Sequence, residues 1–382
     1  MKKLGFILIA AAVLCLCACV SNKKDDPEKK VWAWLAGKTT TTDETWEMYF
    51  SKAATAGIHA VILECHGGYP EVLGDATSFR DEAALQIIRN ALPFAQKYKI
   101  ELHAWMWTSN RTEMALRNAH LDWYQVNAQG ESCLDIKLYN REHYRWLCPS
   151  RPEVLDYLKD RVAELAEIKG LAGIHLDFIR YPDAILPYGL HASRGVVQDK
   201  VYPLWDFCYC DACREEFKAQ TGIDPIDLGE PTAHPAWMQY RWDALAQMAS
   251  ALGEEIHRHG KMATAAVFAS PEESKKLVRQ DWAHFRNMDV LFPMLYHKYY
   301  NWEDEMVYTA TKEGVEALKA AGNEAYLCTG LFVGHVPKDR IPEFFKMAKD
   351  GGSKGICLFS LEGIARSEGY WEALGAAIAD FK

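Results

Sequence analysis

The stretch Gly173-Ile-His-Leu-Asp-Phe-Ile-Arg-Tyr-Pro182 carries a histidine and an aspartate two residues apart, in an apolar run that stops at a proline. Side chains two apart on a strand share a face. His175 and Asp177 therefore point the same way, with Asp177 nearer the carboxyl end. An inward carboxylate is costly in a packed core but well placed at the mouth of a parallel barrel. Asp177 is the first candidate catalytic group. A neighbouring guanidinium lowers a carboxyl's pKa, so Arg180 predicts an ionised Asp177 suited to act as nucleophile or base.

Similar groups recur at the ends of other apolar runs. One ends Ile62-Leu-Glu64-Cys-His66, placing Glu64 and His66 on one face; another reads His103-Ala-Trp105-Met-Trp107. A third ends Leu295-Tyr296-His297, and a fourth runs Leu358-Phe-Ser360-Leu-Glu362. Each has an ordinary alternative. A lone histidine is more readily a satisfied core group than a ligand, the tryptophans could fill the core, Glu64 could pair with Arg180, and Glu362 could be a solvated loop charge. Recurrence on five runs is what points to a site. Such a set supports glycosidic cleavage, which needs one protonated and one ionised carboxyl. Asp177 would be the ionised group, and Glu362 or Glu64 the acid. His103, Trp105, Trp107 and His175 on the runs, with Arg180, Tyr181, Tyr296 and His297 at their ends, would contact the sugar.

Short apolar runs alternate with helical patterns, the signature of βα units and a parallel sheet. The expected strands are Val31–Leu35, Ala60–Cys65, Glu101–Trp107, Gly173–Phe178, Lys261–Phe268, Val290–Tyr296, Ala325–Leu331 and Gly355–Ser360. Eight strands and eight helical intervals predict an α/β fold, a (β/α)8 TIM barrel over residues 31–382. Periodicity predicts helices over 43–56 and 81–99. Ser150-Arg-Pro-Glu153 reads as a capping box opening a helix to Lys169, and Ser270-Pro-Glu-Glu273 opens one toward Met288. Further helices are expected over 302–321, 337–350 and 367–381. Two connections, 108–149 after the third strand and about 181–238 after the fourth, are long insertions on the face where barrels build active sites.

Ahead of the barrel, Met1-Lys-Lys3 and the apolar run to Ala18 read as a signal peptide, too short for a transmembrane helix. Leu16-Cys-Ala-Cys19 looks like a bacterial lipobox, which implies cleavage before Cys19 and lipid on its sulfur. Residues 19–30 then form a polar tether. Within it, Lys24-Asp-Asp26 resembles a surface-export signal of outer-membrane lipoproteins, although a plain spacer would look similar. Losing Lys2 and Lys3 with the leader takes the formal charge from −9 to about −11. No basic run survives, which argues against nucleic acid as partner. The 13 Trp and 18 Tyr offer rings that can stack on sugar faces or fill a core.

Eight cysteines follow the tether, three of them as Cys208-Tyr-Cys210-Asp-Ala-Cys213. That spacing could begin a structural zinc site, but no fourth ligand sits at zinc-ribbon spacing nearby; a disulfide plus a spare thiol is the alternative. Either way the cluster staples an inserted loop. No other cofactor is expected, and the oligomeric state is not read from sequence.

The run Gly173-Ile-His-Leu-Asp177 with Tyr181-Pro182 resembles the strand-four signature of the glycosyl hydrolase-like 10 family. Leu102-His-Ala-Trp105, Leu121-Asp-Trp123 and Cys148-Pro-Ser-Arg-Pro-Glu-Val154 support the resemblance, which covers most of the chain from Val31. It implies a (β/α)8 barrel, glycoside hydrolase activity on a polysaccharide or peptidoglycan glycan, and Asp177 as a catalytic carboxylate. Ala172 and Phe178 stand where that pattern often has acids. A surface glycan-binding lipoprotein on a barrel without activity is the alternative from another class. A chitinase-like site would need a glutamate at Phe178 or Ile179, and a metal-dependent amidohydrolase would need a His-x-His that Val31-Trp-Ala-Trp34 lacks.

Overall fold

The computed structural model describes residues 30–66 and 81–381. The leader, Cys19 and nearly all of the tether therefore lie outside the described residues. Eight strands, β1 (Lys30–Ala36), β2 (Ala60–His66), β3 (Glu101–Trp107), β4 (Gly173–Asp177), β5 (Met262–Phe268), β6 (Val290–Met294), β7 (Tyr326–Phe332) and β8 (Gly355–Phe359), pair in parallel and in sequence order. β8 closes on β1, with Lys30 opposite Gly355. The chain is a (β/α)8 barrel, as the alternation predicts. β1 begins at Lys30, one residue earlier than expected, where its Nζ bonds Glu101 Oε1 at 2.7 Å.

Period-two alternation divides the strand residues between two cores. Val31, Ala33, Leu35, Val61 and Leu63 pack outward against helices. Trp32, Trp34, Ile62, Trp105 and Phe292 fill the barrel interior. Two glycines make room for these rings. A Cβ at Gly330 would stand 3.1 Å from the Trp34 ring, and one at Gly173 would stand 2.4 Å from His103 Nδ1. The glycine that opens the β4 motif thus follows from the width of its neighbour's side chain.

The helices in order are α1 (Asp43–Ala56), α2 (Glu82–Lys97), α3 (Met114–Ala119), α4 (Pro152–Ala166), α5 (His191–Arg194) and α6 (Asp211–Thr221). They continue as α7 (Pro235–Arg258), α8 (Pro271–Val278), α9 (Met306–Ala320), α10 (Ile341–Asp350), α11 (Leu361–Ala365) and α12 (Tyr370–Phe381). α1 has the expected bounds. Thr42 caps it by accepting from the Thr45 amide, and Trp46, Phe50 and Ala53 are its buried stripe.

Most helix ends fall within a few residues of the sequence reading, and two are set by contacts it did not include. The hydroxyl of Ser150 does not cap α4; it accepts from Tyr240 at 3.0 Å and lies 3.5 Å from Cys213 Sγ. α8 stops at Val278 instead of running toward Met288. There Arg279 turns left-handed (φ 53), and its guanidinium is drawn inward to Asp206. A buried charge pair outweighs continued helical pattern.

The insertion after β3 contains α3, and the one after β4 contains α5 and α6. Single bridges Asn110–Trp146 and Tyr124–Leu147 fold the first insertion on itself, and Asn127–Phe207 joins it to the second.

Candidate active site

β3 lies between β2 and β4, and its two tryptophans hold one carboxylate on each side. Trp105, level with Glu64 on β2 and His175 on β4, reaches diagonally so that its Nε1 donates to Asp177 Oδ2 at 3.0 Å. Trp107, level with Asp177, reaches the other way and donates to Glu64 Oε1 at 2.9 Å. Both rings are buried, at 7% and 4% exposure, so these tryptophans position carboxylates rather than offer an open sugar platform.

The local backbone fixes Asp177 further. Phe178 has φ 49, where β4 ends one residue earlier than expected, and its amide donates to Asp177 Oδ1 at 2.6 Å. A left-handed phenylalanine costs on the order of 1–3 kcal/mol, which surrounding packing must offset. Trp107 supplies some of that packing, with ring centroids 4.5 Å from Phe178. Both oxygens of Asp177 therefore accept N–H bonds.

Glu362 comes from the opposite side, in the first turn of α11 after β8, where its Oε1 accepts from the Ala36 amide at the end of β1 (2.6 Å). Glu64 is electrostatically close to both Asp177 and Glu362. Burial, reinforced by those two negative charges against the Trp107 bond, pushes Glu64 up to about 7. Burial also pushes Asp177 up to about 6, against the Phe178 amide, the Arg180 charge and the Trp105 bond. The sequence expectation that Arg180 keeps Asp177 low is thus corrected: loss of water outweighs one neighbouring cation.

The other expected contact residues divide by position. Tyr296 belongs to this mouth; it is half-buried, stacks on Phe359 at 5.7 Å, and the Asp177 charge acts on its hydroxyl. Phe332 and Tyr299 extend the same partly exposed aromatic wall. The Leu295–Tyr300 run carried that signal in its tyrosines. Arg180 lies beneath the mouth, with its guanidinium 4.8, 5.1 and 5.0 Å from the Trp146, Phe178 and Phe268 rings. It pairs with Asp183 at 3.2 Å, not with Glu64.

The remaining four are not brought to the mouth. His175 is fully buried, accepting from Trp34 Nε1 at 3.2 Å, so that its Nδ1–H faces Thr264 Oγ1 at 2.9 Å. Burial holds it neutral. His103 sits deeper, 4.7 Å from the Trp32 ring and 3.6 Å from Glu101. Tyr181 is buried on the outer side, against the cysteines of the insertions. His297 turns away toward Asp304, 3.0 Å distant. For these the bland alternative, a packed or paired side chain, is what the geometry delivers.

A register shift between Glu64 and His66 interrupts the regular pairing of β2 with β3. Two groups escaped the sequence reading. His143, from the first insertion, lies 5.7 Å from the Trp107 ring, and burial with nearby Arg141 pushes it down to about 4. Cys148 joins Cys208, Cys210 and Cys213, all four sulfurs lying within 4.8 Å of one another. Its distance in sequence, 60 residues before Cys208, concealed it.

No family model matches the chain, and no curated protein matches it. Among solved structures the chain is similar to the PgaB (BpsB) glycoside hydrolase domain from Bordetella bronchiseptica, at 12% identity over 92% of this chain and 99% of that one, with TM-score 0.62. It is also similar to the catalytic domain of beta-amylase from Paenibacillus polymyxa, at 11% identity over 93% and 99%, with TM-score 0.63. The endo-beta-1,4-mannanase from Thermotoga petrophila is matched at 10% identity over 93% and 77%, with TM-score 0.52. These neighbours are glycoside hydrolases. The likeness establishes the barrel fold.

Proposed function

We propose that the protein is a glycoside hydrolase that cleaves O-glycosidic bonds of a polysaccharide or peptidoglycan glycan with Glu64 and Asp177 as its working carboxyls. The observation that carries this reading is their placement on the two strands flanking β3, each held by one indole N–H of that strand. Glycosidic cleavage needs one carboxyl protonated and one ionised in the same pH range. Glu64, raised to about 7, suits the proton donor, and Asp177, at about 6 with two donors on its oxygens, suits the nucleophile or base. Glu362 raises the pKa of Glu64 from beside β1. The wall of Tyr296, Tyr299, Phe332 and Phe359 gives a sugar ring a face to stack on.

The reading is tested by incubating the purified protein with panels of polysaccharides and peptidoglycan glycans and measuring reducing ends. Release of reducing ends supports it; binding of a glycan with no release at any pH overturns it in favour of a binding protein.

The two raised pKa values give the rate a shape. Activity should require Asp177 ionised and Glu64 protonated, so kcat/KM should rise through about pH 6 and fall through about pH 7. Because the carboxyls interact, these limbs belong to the pair. Glu64→Gln should remove the fall above pH 7 and slow substrates with poor leaving groups by about 10²–10⁴-fold, while sparing aryl glycosides that need no protonation. An unchanged alkaline limb in Glu64→Gln would assign the acid elsewhere, with Glu362 next.

A further inference from the structure

We propose that Cys148, Cys208, Cys210 and Cys213 form a tetrathiolate site for a zinc-class divalent ion that fastens the two insertions together behind the barrel mouth. All four side chains are buried, and none is joined in a disulfide. Cys148 Sγ lies 3.4 Å from Cys213 Sγ and 3.5 Å from Cys210 Sγ, and Cys210 and Cys213 are 3.8 Å apart. Sulfurs at about 2.3 Å from a central zinc stand about 3.8 Å from one another at the edges of a tetrahedron. A pair of disulfides would instead group the atoms two and two, each pair bonded at about 2.05 Å. Here one sulfur, Cys210, is comparably close to two others, which is the arrangement of corners around a common centre.

The surroundings suit the charge such a centre would carry. Binding converts four thiols to thiolates, with four protons released to solvent, and leaves a net charge of −2 on the ion and its ligands. Arg151, three residues beyond Cys148, is near enough for Cys210 and Cys148 to act on its guanidinium. Cys210 is the N-cap of α6 and Cys213 lies in its first turn, so the positive end of that helix faces the sulfurs. The Cys210 amide points to Cys208 Sγ at 3.4 Å. Hydrogen bonds and opposite charge of this kind are the usual support around bound thiolates.

The position gives the site a purpose. Cys148 ends the first insertion just ahead of α4, while the other three ligands stand in the second insertion at the start of α6. Trp146, two residues before Cys148, lies against the Arg180 guanidinium and meets the Phe178 ring edge to face. Tyr181 is buried against the cysteines from the other side. An ion here would brace, through Trp146 on one side and Tyr181 on the other, the segment that turns at Phe178 and seats Asp177. It is a structural clamp; no step of glycosidic chemistry passes through it.

The test is metal content, which does not depend on the catalytic reading. Protein purified without chelator should contain about one zinc per chain by elemental analysis, and titration with a mercurial should release that zinc as the thiols react. Cobalt substitution should give thiolate-to-metal charge-transfer absorption. Cys213→Ser should lose the metal, Cys213→His should keep it, and Cys133→Ser, outside the cluster, should leave it unchanged. If the serine variant fails to fold, the parent's zinc-to-thiol stoichiometry under mercurial decides. A Cys148–Cys213 disulfide in peptide mass maps, or a fully reduced protein that binds neither zinc nor cobalt, would overturn the proposal.

Discussion

Asp177→Asn is expected to lower kcat on the order of 10³-fold on every glycoside the protein cleaves, with KM and fold little changed. The magnitude lies within the range for removing a positioned acid–base group, about 10²–10⁴-fold. The substitution keeps the size of the side chain but replaces one acceptor with an NH2 group. The two donors that meet Asp177, Trp105 Nε1 and the Phe178 amide, then face one acceptor and one donor. That mismatch costs about 1–3 kcal/mol. Loss of a buried charge offsets part of it, because burial is the largest influence on Asp177. Circular dichroism and thermal melting should therefore still report a folded barrel.

A second readout separates a catalytic role from a purely structural one. The Asp177 charge is one of the influences that raise Glu64. In Asp177→Asn the titration of Glu64 should move down from about 7, and any residual activity should lose its alkaline limb at lower pH than the parent. Aryl glycosides, which spare the acid, should not rescue Asp177→Asn although they rescue Glu64→Gln. Retention of more than about a tenth of parental kcat by Asp177→Asn would be incompatible with the acid–base magnitudes cited and would remove Asp177 from the chemistry.

The barrel was legible because eight apolar runs bounded by helical patterns leave few ways to bury both faces of a parallel sheet. Asp177 was legible for a related reason: period two puts it inward at the carboxyl end of its strand. Glu64 was visible by the same rule, but its raised pKa was not. That shift comes first from burial and then from two carboxylates on β4 and α11, and only closure of the barrel supplies both. The histidines show the rule's limit. Period two says which way His103 and His175 face, yet not how deep they lie, and both are fully buried below the mouth, His175 against Trp34 and His103 beside Glu101. Tyr181 and His297 follow their strands' ends, where loop direction replaces periodicity. Cys148 was missed because metal-ligand spacing rules describe local motifs, while its partners arrive through a separate insertion.

Asp206→Ala should be among the most destabilising single changes in this protein, at about 3–5 kcal/mol. Asp206 is fully buried in the second insertion, and its Oδ1 accepts from Arg241 at 2.7 Å and from Arg279 at 2.9 Å. Its Oδ2 accepts from the Tyr209 hydroxyl at 2.5 Å. Removing the carboxylate leaves two buried guanidiniums facing each other with no anion between them. For a barrel of about 350 residues the loss corresponds to a fall in Tm of about 4–7 °C. Burial pushes the Asp206 carboxyl up, but Arg241 and Arg279 outweigh it and hold it below its ordinary value. A depressed folded-state pKa gives stability that is present above about pH 4 and is lost on further acidification. The Tm gap between parent and Asp206→Ala should therefore narrow toward pH 3. Asp350→Ala, which removes an exposed partner of Lys346, serves as the control and should change stability by no more than about 1 kcal/mol. A small loss in Asp206→Ala, comparable to that control, would mean that the two arginines find other anions or water. Arg241 lies on α7 and Arg279 just beyond α8, so a large loss ties the second insertion to the barrel through this carboxylate. The insertion that carries three of the clustered cysteines would then be held at two points, one ionic and one at the thiols, on either side of Phe207.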